Sequence, residues 1–168
     1  MAEEILDVVD ENDRVIAQVP RSEVRAKNLL HRGVGILVFN SKGELYVHKR
    51  TETKDVFPGM YDMFVGGTVS AGESYEEAAL RELREELGIE GVKLRALFTY
   101  RYEGPKNRCF TKIFEVCYDG PISHQREEVA WGRFFPVEEV LRLIRKWPFV
   151  PDGMEIFEEY LLKKKTKE

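Results

Sequence analysis

The fold of this chain is decided by residues 67–89, which read GTVSAGESYEEAALRELREELGI. This segment follows the pattern G-x5-E-x7-R-E-(aliphatic)-x-E-E-x-G-(aliphatic), and every defined position is filled. In a chain of this size the pattern should arise by chance with a probability on the order of one in ten million. The segment is therefore a functional motif and not a chance arrangement of residues.

Local signals place a helix inside this segment. Ser74 followed by Glu77 is a capping box, in which the serine side chain accepts a hydrogen bond from a free backbone amide and the glutamate reaches back. Gly88 stands where a helix commonly ends in the left-handed conformation. The sequence therefore predicts a helix from Tyr75 to about Leu87, which is roughly 13 residues.

The predicted helix has one acidic and one apolar side. At roughly 100° per residue, an arc of about 100° contains the carboxylates of Glu82, Glu85 and Glu86. The opposite side is expected to pack on the core through Leu80, Leu83 and Leu87. Like charges at these spacings destabilise a helix by a few tenths of a kcal/mol per pair, so a cation is expected to compensate them.

The residue types around the carboxylates favour a divalent metal over a solvated helix face, which is the usual explanation of such a charge cluster. Oxygen-only ligation suits Mg²⁺ or Mn²⁺, with phosphate oxygens and waters completing the shell. Arg81 is spaced to pair with Glu85, and Glu73 can approach either the arginine or the metal. Gly67 lets the backbone approach a ligand closely and offers a carbonyl oxygen to the ion.

The segment resembles the Nudix box of the Nudix hydrolase superfamily, and the resemblance extends over most of the chain. It implies an α+β fold, an α/β/α sandwich with a mixed β-sheet between helices. It also implies Mg²⁺ dependence, with Mn²⁺ as an alternative, and hydrolysis of a nucleoside diphosphate linked to another group. By the family pattern the metal would be held by Gly67, Glu82, Glu85 and Glu86, with Glu73 and Arg81 as orienting residues and Gly88 in a structural role.

Size and composition restrict the remaining classes. A chain of 168 residues with a net charge of −4 predicts one domain without a large basic surface for duplex nucleic acid. No segment is long and apolar enough to cross a bilayer, so a cytoplasmic location is expected. Cys109 and Cys117 are predicted on one strand, too far apart for a disulfide, and should be free thiols. The sequence leaves a homodimer open.

Outside the box, periodicity and turn residues predict further elements. Residues 1–30 are expected to form a hairpin and a short helix. The predicted strands cover residues 5–9, 15–19, 33–39, 44–49, 61–65, 92–103, 108–118 and 129–135. Besides the box helix, the predicted helices cover residues 20–28, 137–146 and 152–164.

Arg50 and Lys54 are candidate phosphate ligands. Residues 50–59 resemble the corresponding part of isopentenyl-diphosphate isomerases and of the Nudix hydrolases most similar to them. In that group the matching arginine and lysine contact a diphosphate, a task that suits guanidinium and ammonium groups. Substrate binding by this pair is therefore expected, with surface cations as the alternative.

Glu128 is a second acidic candidate, for metal binding or for activating water, because a loop glutamate is common near the end of Nudix domains. Its charged neighbours make an exposed loop an equal alternative. The general base is therefore left open between Glu85, Glu86 and Glu128. The three histidines of the chain show no metal-ligand spacing.

Three functions remain open, with a pyrophosphate-bond hydrolase favoured. An isopentenyl-diphosphate isomerase needs an acid and a base at carbon. The resembling isomerases place a cysteine and a metal-binding histidine where this chain has Gly66 and Thr68, although His31 matches one isomerase histidine. A catalytically silent Nudix-like binding module is disfavoured because no box residue is missing.

Overall fold

The structure, a computed structural model, describes residues 3–125 and 129–166. Its elements follow the chain in this order: β1 (Ile5–Val9), β2 (Val15–Pro20), α1 (Arg21–Lys27), β3 (His31–Phe39), β4 (Leu45–Arg50), β5 (Tyr61–Asp62), β6 (Val65–Thr68), α2 (Tyr75–Leu87), β7 (Arg95–Glu103), β8 (Arg108–Cys117), β9 (Val129–Phe135), α3 (Val137–Leu143) and α4 (Pro151–Thr166).

Strand β3 organises a mixed sheet. It pairs in parallel with β8 along its whole length, from the pair His31 and Cys109 to the pair Phe39 and Cys117. It pairs antiparallel with β1, β4 and β6. Strand β4 continues the sheet through antiparallel pairing with β5 and β9. The N-terminal hairpin, β1 and β2, is thus part of the same sheet as the segment that leads into α2.

The helices cover both faces of the sheet, because side chains of a strand alternate between faces. Val34, Ile36 and Val38 of β3 share one apolar cluster with the buried residues of α2. Leu37 of the same strand lies in a second cluster, which contains buried residues of α3 and α4. The α+β fold with a mixed sheet between helices is therefore confirmed.

Most element positions agree with the sequence prediction, and α2 and β9 have the predicted bounds. The strand predicted over residues 61–65 is wrong, because it is divided into β5 and β6. Asp62 causes the break: its Oδ1 accepts a hydrogen bond of 3.0 Å from the backbone amide of Phe64, which bends the chain there.

The predicted apolar side of α2 needs a correction. Leu80 is 40% exposed, whereas Glu86 is only 2% exposed. The buried side of the helix is centred on Ala79 and Leu83, so it includes Glu86 at one edge and leaves Leu80 outside. The helical spacing of the three leucines does not show which side of the helix faces the sheet.

Two further expectations concern the cysteines and membrane-spanning helices. Cys109 is buried, Cys117 is exposed, and neither forms a disulfide, as predicted. Within residues 3–125 and 129–166, none of the helices combines the length and the apolar character that a membrane crossing requires.

Candidate active site

Helix α2 is fixed at both ends by its own sequence. The Ser74 side chain accepts from the Glu77 amide at 3.1 Å, and Glu77 accepts from the Ser74 amide at 3.0 Å. At the other end Gly88 has a φ of 68°, and its amide donates to the Arg84 carbonyl at 3.0 Å. These caps set the position of every acidic side chain along the helix.

Arg81 links the acidic residues of the box. Its guanidinium donates two hydrogen bonds of 2.8 Å to the two carboxylate oxygens of Glu73. Its Nη1 donates to Glu82 at 2.8 Å and to Glu85 at 3.2 Å. Its Nη2 donates to the backbone carbonyl of Thr68 at 3.1 Å. One cation therefore positions three carboxylates and the strand that precedes the helix.

The pKa values of this ion pair reflect the contact. The hydrogen bond from Arg81 lowers the pKa of Glu73 below its usual value. The same hydrogen bond is the main cause that raises the pKa of Arg81, against the opposing effect of its partial burial. Both groups therefore stay charged at neutral pH, and the arrangement around them is held by charge-assisted hydrogen bonds.

Two carboxylates of α2 lie directly against the glycines of β6. Glu86 accepts a hydrogen bond of 3.0 Å from the Gly66 amide. Glu82 lies so close to Gly67 that a Cβ added there would be 2.7 Å from Glu82 Oε1. Only a glycine leaves the Glu82 carboxylate in place, which gives Gly67 a steric role besides any role of its carbonyl.

The chemistry of the donor set fits a hard divalent ion. Among residues 3–125 and 129–166, no three His, Cys, Asp or Glu side chains are grouped as a metal site. The carboxylates of Glu82 and Glu85 instead share Arg81. Carboxylate and backbone oxygens are nevertheless the ligands that Mg²⁺ and Mn²⁺ prefer. Glu85, whose side chain is 44% exposed, is the accessible member of the group.

A cavity of about 120 Å³ that is open to solvent lies next to these glycines. Gly66, Gly67 and Thr68 form part of its wall. The other polar lining residues come from α1, β3, β4, β5, β8, α4 and the connections between strands: Arg21, Arg25, His31, Arg50, Lys54, Asp62, Asn107, Cys109, Thr111 and Asp152.

Both predicted substrate ligands, Arg50 and Lys54, line this cavity. The Nε and Nη2 atoms of Arg50 donate to the Val56 carbonyl at 3.1 and 2.8 Å. Arg50 therefore also shapes the connection between β4 and β5, to which Lys54 belongs. The structure places the pair at the cavity, while their binding of a substrate stays a prediction.

Two enclosed carboxyl groups also belong to the wall, and the charge of Arg50 acts on both of them. Burial, with the nearby charge of Asp152, raises the pKa of Asp62 to about 8. Burial also raises the pKa of Asp152, whose carboxylate accepts from the Gly153 amide at 2.9 Å and from Asn107 at 3.2 Å. The cavity wall thus contains both cations and carboxyl groups whose raised pKa values favour the protonated form.

The one imidazole and the one thiol of the wall are neutral at physiological pH. Burial lowers the pKa of His31 to about 4, so its imidazole carries no charge. Burial raises the pKa of the Cys109 thiol to about 12, so it is not a thiolate nucleophile.

Sequence reasoning missed the contribution of α1 to the cavity. Arg21 and Arg25 lie four residues apart on this short helix and both line the wall. Arg21 donates to Thr68 Oγ1 at 2.8 Å, which connects α1 to the strand before α2. Their i,i+4 spacing was the only available signal, and it does not show what the helix faces.

Glu128 and two of the histidines do not contribute to the site as the structure describes it. Glu128 lies outside the described residues, so its predicted role is not tested. His48 is buried between strands, and burial lowers its pKa to about 3. His124 contacts the hydroxyl of Tyr46.

Comparison with known proteins agrees with this geometry. The model of the NUDIX domain matches residues 29–158. An uncharacterised Nudix hydrolase of Streptomyces coelicolor is 48% identical over 158 residues, covering 93% of this chain and 87% of that protein. One of Pseudomonas aeruginosa is 42% identical over 158 residues, covering 94% of each. The crystal structure of the protein DR0079 of Deinococcus radiodurans is similar, with a TM-score of 0.80 and 30% identity, covering 93% of this chain and 98% of that one.

Proposed function

The chain belongs to the Nudix hydrolase family, and from that premise we propose that it hydrolyses a pyrophosphate bond with Mg²⁺ or Mn²⁺. The substrate class is a nucleoside diphosphate derivative or a related organic diphosphate. The family match and the named relatives support hydrolysis of this bond type. The metal and the substrate class are supported by the site itself.

One observation carries the proposal: the acidic helix and the cationic cavity meet at Gly66 and Gly67. On one side, these glycines contact the carboxylates of Glu86 and Glu82. On the other, they belong to the wall that contains Arg50 and Lys54. A diphosphate in the cavity would therefore have cationic side chains at one end and the carboxylate set beside its phosphorus atoms.

We assign the metal to Glu82, Glu85 and Glu86, with the Gly67 carbonyl as a further ligand. When bound, the divalent ion offsets phosphoryl charge and acidifies a water molecule. Arg81 and Glu73 keep the carboxylates in position through the hydrogen bonds described above. Gly88 has a structural role, since it ends the helix that carries all of them.

Proton acceptance from the attacking water is assigned first to Glu85, because its side chain is the most exposed of the ion-paired box glutamates. Glu86 is largely enclosed and already accepts from the Gly66 amide. Glu128 remains the third candidate. Arg50 and Lys54 would bind the phosphate oxygens, because guanidinium and ammonium groups suit that task.

The isomerase alternative is weakened by the backbone at Gly66, where the resembling isomerases have a cysteine. A Cβ added at this position would lie 1.9 Å from the Val34 carbonyl oxygen, so the strand as folded has no room for any side chain. Thr68, at the isomerase histidine position, donates to Glu4 and accepts from Arg21. A silent binding module is disfavoured because the box is complete.

Two finer expectations are part of this proposal. A net charge of −4 favours a small-molecule partner over duplex nucleic acid, and the two free thiols agree with a reducing, cytoplasmic environment.

The proposal is tested by assaying a panel of diphosphates in ¹⁸O-labelled water with Mg²⁺ or Mn²⁺. We expect label in a phosphate product, metal-dependent turnover and no dimethylallyl diphosphate from isopentenyl diphosphate. Glu85→Gln should lower kcat by orders of magnitude without unfolding, whereas Glu76→Gln, in the first turn of the same helix, should not. Equal activity of Glu85→Gln and the wild type would overturn the role of Glu85. Absence of any hydrolysis by the wild type would overturn the function.

A further inference from the structure

The helix that precedes the matched Nudix domain adds two guanidinium groups to the cavity. Residues 29–158 match the family model, whereas Arg21 and Arg25 belong to α1, which covers Arg21–Lys27. The two side chains are 26% and 19% exposed and both line the cavity wall. Any phosphate ligand in this cavity therefore meets cations beyond Arg50 and Lys54.

A carboxylate of the protein already lies between these two arginines. Arg21 donates to both oxygens of Asp55, at 2.9 and 3.1 Å, in a bidentate contact. The Nε of Arg25 lies 3.5 Å from the same carboxylate. Burial would raise the pKa of Asp55, but the hydrogen bond and charge of Arg21 lower it to about 2. Asp55 is therefore an anion at every physiological pH.

The Asp55 carboxylate satisfies the charge and the hydrogen-bond donors of the Arg25 guanidinium only in part. The Nη1 of Arg25 donates to Asn107 at 3.1 Å, whereas its buried Nε makes only the 3.5 Å ion-pair contact with Asp55 and no well-formed hydrogen bond. A buried donor without a well-formed hydrogen bond lowers the stability of the folded protein. An anion whose oxygens accept two or three hydrogen bonds at once would supply the missing bond. Burial and the neighbouring charge of Arg21 lower the pKa of Arg25, as expected for two guanidinium groups sharing one carboxylate.

The Asp55 carboxylate is accessible to solvent, since its side chain is 43% exposed, whereas that of Arg21 is 26% exposed. An anion that enters the cavity therefore competes with a carboxylate that water can also solvate. The neighbouring Val56 carbonyl is held separately by Arg50, so the segment keeps an attachment when the carboxylate moves.

We propose that Arg21 and Arg25 form a subsite for the terminal phosphate of a diphosphate monoester, and that this phosphate takes the place of the Asp55 carboxylate. A terminal phosphate offers three non-bridging oxygens and more negative charge than a phosphate esterified on both sides. It can bind Arg21 in the bidentate manner of Asp55 and also accept the well-formed hydrogen bond that the Nε of Arg25 lacks. The substrate class is thereby narrowed to compounds such as nucleoside diphosphates, in preference to nucleotide sugars.

This inference rests on the proposed function, because it specifies the substrate of the same cavity. Its test therefore includes a measurement that does not depend on hydrolysis. Binding of adenosine 5′-(α,β-methylene)diphosphate, which is not cleaved at that linkage, is measured by calorimetry beside binding of AMP. In parallel, kcat/KM is compared within the pairs ADP and ADP-ribose, and UDP and UDP-glucose.

We expect the wild type to bind the methylene diphosphate more tightly than AMP. We also expect a higher kcat/KM for ADP than for ADP-ribose, and for UDP than for UDP-glucose. Arg25→Gln should weaken binding of the methylene diphosphate about tenfold, with a smaller effect on AMP. Asp55→Asn should strengthen binding of the methylene diphosphate several-fold, because the competing charge is removed. Lys27→Gln, which removes an exposed cation of the same helix, should change neither the binding of the methylene diphosphate nor that of AMP.

The outcomes separate the two proposals. If Asp55→Asn binds the methylene diphosphate as weakly as or more weakly than the wild type, the displacement is wrong, even where Arg25→Gln fails to fold. Hydrolysis of diphosphates with unchanged binding in both variants overturns the subsite and leaves the function standing. Arg25-dependent binding without any hydrolysis leaves the subsite and overturns the function. A higher kcat/KM for ADP-ribose and UDP-glucose than for ADP and UDP overturns the assigned substrate class.

Discussion

At the scale of single residues, the glycines of β6 explain why the acidic helix can lie so close to the sheet. Gly66 donates its amide to Glu86 and has no room for a side chain beside the Val34 backbone. A Cβ at Gly67 would meet the Glu82 carboxylate at 2.7 Å. Arg81 completes the arrangement by holding its carboxylate partners from the other side. The site is thus assembled from short-range contacts that any added carbon atom would disturb.

Gly66→Ala should destabilise the protein strongly, because the new Cβ would meet the Val34 carbonyl oxygen at 1.9 Å. We expect a loss of roughly 1–3 kcal/mol or more in the free energy of unfolding, measured by urea denaturation. Gly35→Ala is the matched control, since its Cβ would meet side-chain atoms of Ile113 and Phe64 at 3.1 and 3.2 Å. An equal or smaller loss for Gly66→Ala would contradict the packing described here.

Lys54→Ala should mainly raise KM for the diphosphate substrate, because an interaction made equally in the ground and transition states is lost. Arg50→Ala should raise KM as well and also lower thermal stability, because its two hydrogen bonds to the Val56 carbonyl disappear. Steady-state kinetics and thermal melts of both variants provide the measurement. A normal KM in both would place these cations outside the substrate site.

At the scale of elements, α2 was predictable and its surroundings were not. The capping box at Ser74 and the left-handed Gly88 are local signals, and both ends of the helix have the predicted positions. Leu80 was assigned to the wrong side because helical periodicity alone does not locate the sheet. The break at Asp62 depends on a side-chain hydrogen bond that no hydrophobic pattern reveals.

The cavity shows a second limit of sequence reasoning. The resemblance to the isomerases predicts Arg50 and Lys54 as phosphate ligands, and both residues line the cavity wall. Arg21 was missed because its contacts with Asp55 and Thr68 span 34 and 47 positions of sequence. Such contacts depend on the placement of α1 beside β6, which follows from strand pairing across the whole sheet.

Ser74→Ala should shorten or weaken the start of α2, because the Glu77 amide loses its acceptor. Loss of such a cap costs about 1 kcal/mol, which thermal or urea unfolding can measure. Ser22→Ala, at an exposed position of α1, serves as the control. Should the two variants unfold at the same denaturant concentration, the capping box would not contribute as described.

At the scale of the whole molecule, the cavity couples stability to pH through Asp62. The folded-state pKa of about 8 lies above the usual value of 3.8, so the folded protein retains a proton that the unfolded chain releases. The groups that face this carboxyl are Asp152, Arg50, the Phe64 amide and the neutral His48 on the paired strand. Its stabilising contribution is full below about pH 4 and is lost as the pH rises to about 8.

Asp62→Asn keeps an acceptor for the Phe64 amide and removes this titration. Relative to the wild type, we expect the variant to gain stability steadily from pH 4 to pH 8 in thermal melts, because it has no carboxylate to leave buried. Glu76→Gln is the control for a general effect of charge. A pH-independent difference between Asp62→Asn and the wild type would show that this carboxyl does not govern the pH dependence.

The central claim is that the acidic side of α2 binds a divalent cation beside a diphosphate in the cavity. Mn²⁺ binding, measured by electron paramagnetic resonance with methylenediphosphonate present, tests it most directly. Glu86→Gln retains an acceptor for the Gly66 amide but loses a charge, so its Mn²⁺ affinity should fall about tenfold or more. Saturable binding by the wild type together with this loss is the predicted result; equal binding by both proteins, or none by the wild type, would contradict the claim.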